Sequence, residues 1–185
     1  MTRWQLQQAL RALNRGDIIA YPTEAIYGLG CDPYNAAAVI DLLYLKSRPL
    51  DKGLILIASE LSQLQPFMGP LSKTMQARLD KSWPGPTTWL VPAAASTPYW
   101  LCGAHSSVAV RVTNHPVAAS LCQAAGQAIV STSANLSGKR PAKTRLRVQS
   151  YFHGHIQHIL GGKTGAGSRP TEIRDVCTGQ IIRAA

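Results

Sequence analysis

The run Gly53-Leu54-Ile55-Leu56-Ile57-Ala58 carries no polar side chain, and it constrains the chain more than any other segment. Successive side chains of a strand point to opposite faces, so a strand that is apolar on both must be buried on both. Such strands belong to sheets flanked by helices. The apolar run Ala128-Ile129-Val130 and the mostly apolar Val108-Ala109-Val110-Arg111-Val112 and Thr87-Thr88-Trp89-Leu90-Val91 read as further strands of the same sheet.

The intervening segments alternate between helical and extended patterns. Leu6, Ala9, Leu10 and Leu13 fall at helical spacing, with Gly16 placed to close the helix. Asp17 to Tyr21 reads as a strand ended by Pro22, and Pro22 to Asp32 as a loop that mixes a hydroxyl, a carboxylate and two glycines. A helix is expected from about Asn35, stopping before Pro49 because a residue ahead of proline resists the helical region. One or two helices are expected over 60–81, and Trp83-Pro84-Gly85-Pro86 is a rigid turn into the next strand. Asn114 and Pro116 mark a helix start. A further helix is expected to end at about Phe152, followed by a short strand from Ile156 to Leu160. Gly161 to Pro170 reads as a mobile glycine-rich segment, and 171–176 with 180–183 as a closing hairpin. The order mixes β-α-β units with hairpins, which predicts a single α/β domain over 1–185 with a twisted, mixed parallel and antiparallel sheet.

Charge narrows the partners. The 185 residues hold 19 Lys+Arg against 9 Asp+Glu, a formal net charge of +10, which favours anionic ligands: nucleotides, pyrophosphate or RNA. The densest basic stretch, Lys139 to Arg147, motivates an RNA partner, tRNA or double-stranded. The four cysteines form no C-x-x-C pair, which argues against a zinc ribbon and for a reduced, cytoplasmic setting. No signal-peptide pattern opens the chain and no apolar run reaches membrane-spanning length, so no membrane partner is expected.

Several segments are candidates for chemistry. Ser131-Thr132-Ser133-Ala134-Asn135-Leu136-Ser137-Gly138 puts hydroxyls and a carboxamide directly after an apolar strand, where ligand crevices of α/β sheets lie; taken alone it reads first as a polar turn leaving the strand. Lys46-Ser47-Arg48 closes a helix, and its cations either complement the helix dipole or converge on phosphates, with Lys52 adding a third. Arg111 interrupts an apolar strand and, if buried, needs an anion: an acid of the chain or a substrate carboxylate. Thr23 and Glu24 read either as turn chemistry or as part of a site. Gly161-Gly162-Lys163-Thr164 lacks the leading glycine of a P-loop, position 157 being Gln157. His153, His155 and His158 have no second ligand motif, so a surface role is expected for them and no protein-borne metal site.

Tyr21-Pro22-Thr23-Glu24, Lys46-Ser47-Arg48-Pro49, Trp83-Pro84-Gly85-Pro86 with Thr88, Val108-Ala109-Val110-Arg111 and Ser133-Ala134-Asn135-Leu136-Ser137-Gly138 occur in that order. Together they resemble the YrdC/TsaC family, the threonylcarbamoyl-AMP synthases, over almost the whole chain. The resemblance implies a YrdC-like fold with a large basic concave cavity. It implies a nucleotidyltransferase that forms L-threonylcarbamoyl-adenylate and pyrophosphate from L-threonine, bicarbonate or CO2, and ATP with Mg2+. It further implies partner proteins that pass the threonylcarbamoyl group to a tRNA adenosine, giving t6A.

By the same resemblance, Lys46, Arg48, Ser133 and Asn135 line the nucleotide and phosphate site, Lys46 and Arg48 acting as the catalytic cations. Lys52, Ser107 and Arg183 fall at ATP-associated positions, and Thr23, Arg111, Ser131 and Thr171 where members contact threonine. Longer members have a threonine-binding histidine near the position of Ile57, so that part of the amino-acid pocket must differ.

Overall fold

The structure is a computed structural model that describes residues 1–136, 138–167 and 171–184. Its helices begin and end where local chemistry can satisfy their free backbone groups. Helix α1 (Arg3–Arg15) opens with a capping box between Thr2 and Gln5 and closes on Gly16 at φ 85°. Asn35 caps α2 (Ala36–Leu45), Ser72 caps α3 (Lys73–Ser82) and Thr144 caps α6 (Arg145–Tyr151), each by accepting a backbone N–H two or three residues into the helix. Helix α4 (Tyr99–Cys102) is a single turn, and α5 (Pro116–Ala125) starts on proline and ends at Gly126.

Nine strands form one sheet among the described residues: β1 (Ile19–Pro22), β2 (Tyr27–Gly30), β3 (Ile55–Ala58), β4 (Thr87–Pro92), β5 (Ser107–Val112), β6 (Ile129–Ser133), β7 (His158–Ile159), β8 (Glu172–Asp175) and β9 (Ile181–Arg183). Their order is β7-β1-β2-β6-β3-β5-β4-β8-β9. The pairs β1–β7, β3–β5 and β4–β8 are parallel, and the other pairs are antiparallel, so the sheet is mixed as expected.

The alternation of β3 sends its side chains into two separate cores. Leu56 and Ala58 join the larger one, with Leu42, Leu79, Val108, Val110 and Phe152, while Ile57 joins the smaller, with Ala12, Leu13, Leu121 and Ile129. The larger core takes buried residues from α2, α3, α4 and α6, and the smaller from α1 and α5. Leu54, Leu56, Ile57 and Ala58 are almost completely inaccessible. Ile57 thus sits in the smaller core, in register with Arg111 on β5.

The face covered by α1 and α5 also carries the polar residues. Register places Ile55 beside Ser131 and Ala109, Ile57 beside Ile129 and Arg111, and Gly28 beside Ser133. Ser131, Ser133 and Arg111 therefore share a face with Ile57, while Val108, Val110 and Val130 point into the larger core on the other side.

Two expectations change, and a third is filled in. Pro22 to Asp32 is not all loop, because Tyr27–Gly30 pairs on both sides as β2. Its alternation is hidden by glycine: Tyr27 and Leu29 enter the larger core, while Gly28 and Gly30 occupy the other face, where a side chain would be crowded at Gly28 and would not fit at Gly30. A Cβ on Gly30 would lie 2.3 Å from the Val130 carbonyl oxygen. Residues 60–81 hold an expected helix, α3, preceded by two 3-10 turns, Leu61–Gln63 and Gln65–Phe67. The glycine-rich stretch is tied down over 161–167: Gly165 N–H donates to the Thr23 carbonyl at 3.0 Å and Gly167 N–H to that of Glu24 at 3.0 Å. Tyr27 Oη also donates to the Gly162 carbonyl at 2.9 Å. The rest of that stretch, Ser168 to Pro170, lies outside the described residues, as does Ser137.

All four cysteines are free thiols, three of them buried. No helix among the described residues is long and apolar enough to cross a membrane.

Candidate functional site

Helix α2 delivers the two cations of Lys46-Ser47-Arg48 in different directions. Lys46 is the C-cap, and Ser47 follows in the left-handed region at φ 49°, a conformation that costs a non-glycine residue roughly 1–3 kcal/mol. The chain reverses there, and Arg48 N–H returns to the Leu43 carbonyl at 2.9 Å.

The Lys46 ammonium turns inward to the loop that leaves β6. Its Nζ donates to the carbonyls of Ser133 (2.5 Å) and Asn135 (2.9 Å) and to Asn135 Oδ1 (3.2 Å). An ammonium has three donors, and three acceptors meet it. Ser133 Oγ donates to Asn135 Oδ1 at 2.6 Å, and the Asn135 amide nitrogen donates to the carbonyls of Leu136 and Lys139. Lys46, Ser133 and Asn135 therefore form one closed knot that shapes the loop. Burial, and then the nearby charge of Arg48, lower the Lys46 pKa from 10.5 to about 8.

Arg48 turns the other way. One terminal nitrogen donates to the Gly53 carbonyl at 2.9 Å and weakly to that of Lys52 at 3.3 Å, while buried Nε has no partner. Arg48 lines a cavity of about 130 Å3 together with Arg111, Arg183, Thr23, Ser131, Ser133 and Thr171. Burial lowers the Arg48 pKa, with Asp51 partly opposing. For Arg183, too, the pKa is lowered, by burial first and then by the charges of Arg111 and Arg48.

Arg111 is the best anchored of the three. Its side chain is 5% exposed, and NH1 donates to Thr171 Oγ1 at 2.8 Å and to Thr88 Oγ1 at 3.3 Å. NH2 lies 3.4 Å from Glu24 Oε2, and Nε has no partner. Arg111 thus has an acid of the chain nearby, as one sequence reading expected, and it also lines the cavity, with Nε unpartnered. The Arg183 guanidinium donates to the Thr171 carbonyl at 2.8 Å, which fixes β9 to the same corner.

Seven of the sequence-derived residues meet around this cavity, namely Arg48, Ser133, Arg183, Thr23, Arg111, Ser131 and Thr171. Lys46 and Asn135 sit behind it in the knot. Lys52 is exposed after α2, and Ser107 opens β5, four residues before Arg111; neither lines the cavity. Ile57 is sealed in the smaller core, but its neighbour Ile55 does line the cavity, so an apolar side chain stands at the floor there. Gly28, also in the lining, was not singled out from sequence; a Cβ on it would lie 3.3 Å from Ser131 Oγ, and its glycine keeps that hydroxyl uncovered. Among the described residues no three His, Cys, Asp or Glu side chains gather as a metal site would require.

A larger cavity, about 1020 Å3, lies between α2 and the segment from Tyr151 to His158, and shares Arg48 and no other sequence-derived site residue. Volume favours it, but buried polar groups converge on the smaller one, and orientation of a ligand is decided by such groups.

The fold and the smaller cavity define a class first: an α/β protein whose sheet face gathers hydroxyls and arginines around a small cavity. The larger likenesses agree. A family model described as "Telomere recombination", covering the Sua5, YciO and YrdC proteins, matches residues 11–185, and the chain belongs to that family. It is 49% identical to the threonylcarbamoyl-AMP synthase of Cellvibrio japonicus over 187 aligned residues, 99% of each chain. It is also 49% identical to that of Pseudomonas aeruginosa over 185 residues, 100% of each. Among solved structures it resembles P. abyssi Sua5 complexed with L-threonine, with TM-score 0.89 and 28% identity over 95% of this chain. The chain spans about half the length of that protein, 52%. E. coli YciO shares the fold at TM-score 0.86, with 23% identity over 98% of this chain and 89% of its own.

Proposed function

We propose that the chain is a threonylcarbamoyl-AMP synthase that joins L-threonine, CO2 or bicarbonate, and ATP into L-threonylcarbamoyl-adenylate and pyrophosphate. The observation that carries this reading is the meeting of Arg48, Arg111 and Arg183 at one small cavity lined by the hydroxyls of Thr23, Ser131, Ser133 and Thr171. Its volume, about 130 Å3, is below the roughly 300–1,000 Å3 that hold drug-sized ligands and suits an amino acid rather than a whole nucleotide. The full-length relatives that carry this enzyme's name support the same reading.

In this mechanism Arg111 takes the threonine carboxylate, and Thr23, Ser131 and Thr171 orient the rest of the amino acid. The neutral amine adds to CO2 and releases a proton, giving the carbamate. A carbamate oxygen then attacks the α-phosphorus of ATP, the bond to the β-phosphate oxygen breaks, and pyrophosphate leaves. Both reactants are anions, so the protein's main tasks are to hold them together and to offset charge that grows in the transition state. Arg48 is the cation placed at the rim for that, with Ser133, Arg183, Lys52 and Ser107 as further ATP contacts. Lys46 and Asn135 serve by holding the loop that presents Ser133. Magnesium carried by ATP would supply further charge neutralisation at the phosphates.

Pure protein mixed with ATP, threonine, bicarbonate and magnesium is expected to release pyrophosphate only when threonine is present, with an AMP-linked product. Folded protein that yields neither would sink the reading. Downstream partners follow from the product: a mixed anhydride of this kind must be consumed by an acyl transfer, which we assign to t6A-pathway proteins acting on tRNA.

A second reading, compatible with the first, is that tRNA or double-stranded RNA docks on the basic run. Arg145 and Arg147 are exposed on α6, and the Arg147 guanidinium lies 5.5 Å from the centre of the Tyr151 ring, which presents a cation and an aromatic face together.

A further inference from the structure

The loose partner of Arg111 is a feature that the reaction above does not use. Glu24 belongs to the turn between β1 and β2, and its side chain is 12% exposed. Thr113, just past β5, donates through Oγ1 to Glu24 Oε1 at 2.5 Å. The Thr113 hydroxyl is itself held by His115 N–H at 3.2 Å. The Glu24 backbone is held too, since Gly167 N–H donates to its carbonyl at 3.0 Å and a Cβ on Gly165 would meet that oxygen at 2.6 Å. Glu24 is therefore fixed at both ends, by β5 and by the strap 161–167.

Its second oxygen is not. Glu24 Oε2 faces Arg111 NH2 at 3.4 Å without a hydrogen bond, and Arg111 Nε is also unpartnered. Buried charged groups are normally closed off by fork-like hydrogen bonds, because an unmet donor or acceptor is costly away from water. Here the hydroxyls of Thr88 and Thr171 take NH1, Glu24 supplies charge at NH2 without closing on it, and Nε stays free in a residue that lines the cavity. A tight Glu–Arg fork would use up the donors that a ligand carboxylate needs. With no acid nearby, the buried cation would be held on its NH1 side alone, by Thr88 and Thr171, with no fixed charge to aim NH2.

We propose that Glu24 is the positioning residue of the site: held by Thr113 and the glycine strap, it aims Arg111 and keeps its guanidinium open to a second carboxylate, that of the amino-acid substrate. Glu24 does not line the cavity and acts through Arg111. The inference rests on Arg111 meeting the substrate carboxylate.

The test compares Glu24→Gln and Thr113→Val with the unaltered enzyme, using calorimetric binding of L-threonine, L-threoninamide and ATP, and steady-state pyrophosphate release. Glu24→Gln is expected to weaken threonine and raise its KM about tenfold, the size expected for one charge-assisted hydrogen bond, while ATP affinity stays within about twofold. Threoninamide, which has no carboxylate, should be weakened far less, so discrimination between the two ligands shrinks. Thr113→Val, which keeps the Glu24 charge and loosens its hold, should move threonine in the same direction by a smaller factor. The double variant Glu24→Gln/Arg111→Ala should bind threonine no worse than Arg111→Ala alone.

Unchanged threonine affinity in both single variants would overturn the proposal, as would equal losses for threonine, threoninamide and ATP. If Glu24→Gln does not fold, Thr113→Val alone decides. Should the unaltered protein bind no threonine and make no product, the failure belongs to the functional reading; should it do both while the variants match it, only the role of Glu24 fails.

Discussion

Lys46 is a cation whose donors the fold itself occupies. Its ammonium is taken up by Ser133, Asn135 and the Asn135 side chain, so its contribution is the shape of the loop after β6. The sign of its pH effect follows from the lowered pKa. Below about 8 the group is protonated in both folded and unfolded chains, and above 10.5 in neither. Between those values the unfolded chain holds more protons, so this group makes stability rise with pH across that window. The buried thiols of Cys31, Cys102 and Cys122, pushed up by burial, pull the other way as pH approaches 10, so the Lys46 contribution is read as a difference: urea unfolding from pH 7 to pH 10 should give a more positive slope of stability with pH in the unaltered protein than in Lys46→Met. At neutral pH the same variant should be about 1–3 kcal/mol less stable, because the loop carbonyls lose their donor. A Lys46→Met protein with the same pH slope would assign that slope to other groups. The sequence placed Lys46 and Arg48 together as phosphate cations. It could not separate them, because their divergence depends on the left-handed turn at Ser47, and nothing in serine announces that conformation.

At the scale of elements, β2 is where the site and the fold depend on each other most. It lies between β1 and β6, it contributes Tyr27 and Leu29 to the larger core, and its glycines let Tyr21 and Ser131 approach the sheet. Gly30→Ala places a methyl group 2.3 Å from the Val130 carbonyl oxygen and 3.0 Å from both Ile129 Cγ2 and Tyr21 Cε1. Backbone cannot move aside as a flexible side chain does, so the expected loss is at least about 1–3 kcal/mol, read by thermal or urea unfolding. A variant as stable as the parent would mean that β2 and β6 can separate at little cost. The strand was invisible as a strand because two of its four residues are glycine, and glycine is usually evidence for a turn. The strap 161–167 was misread for the same reason: its glycines allow close packing on Thr23 and Glu24 rather than freedom of movement.

For the molecule as a whole, two groups of basic residues stand out within the net charge of +10. One lines the cavity as Arg48, Arg111 and Arg183, and the other lies on the exposed surface of α6 and the segment before it. These two groups should respond differently. Arg145→Glu/Arg147→Glu is expected to weaken tRNA binding and to flatten its dependence on salt by about one unit of slope for each phosphate no longer neutralised. Adenylate formation measured without RNA should persist. Loss of that activity would instead join the basic run to the catalytic site. What the sequence determined by itself was the alternation of apolar strands with helices, hence an α/β mixed sheet, and the ordered motifs that mark the family. Those are local properties: side-chain periodicity, capping chemistry and short spacings are written along the chain. The tertiary structure alone decided which motif residues share a surface. Arg111, Thr171 and Glu24 are far apart in sequence, and only the register of β3, β5 and β6, with β8 beside β4, brings them to one corner of the sheet while sealing Ile57 in a core. Register is a property of pairs of strands, set by which faces must be buried, and no single strand carries it.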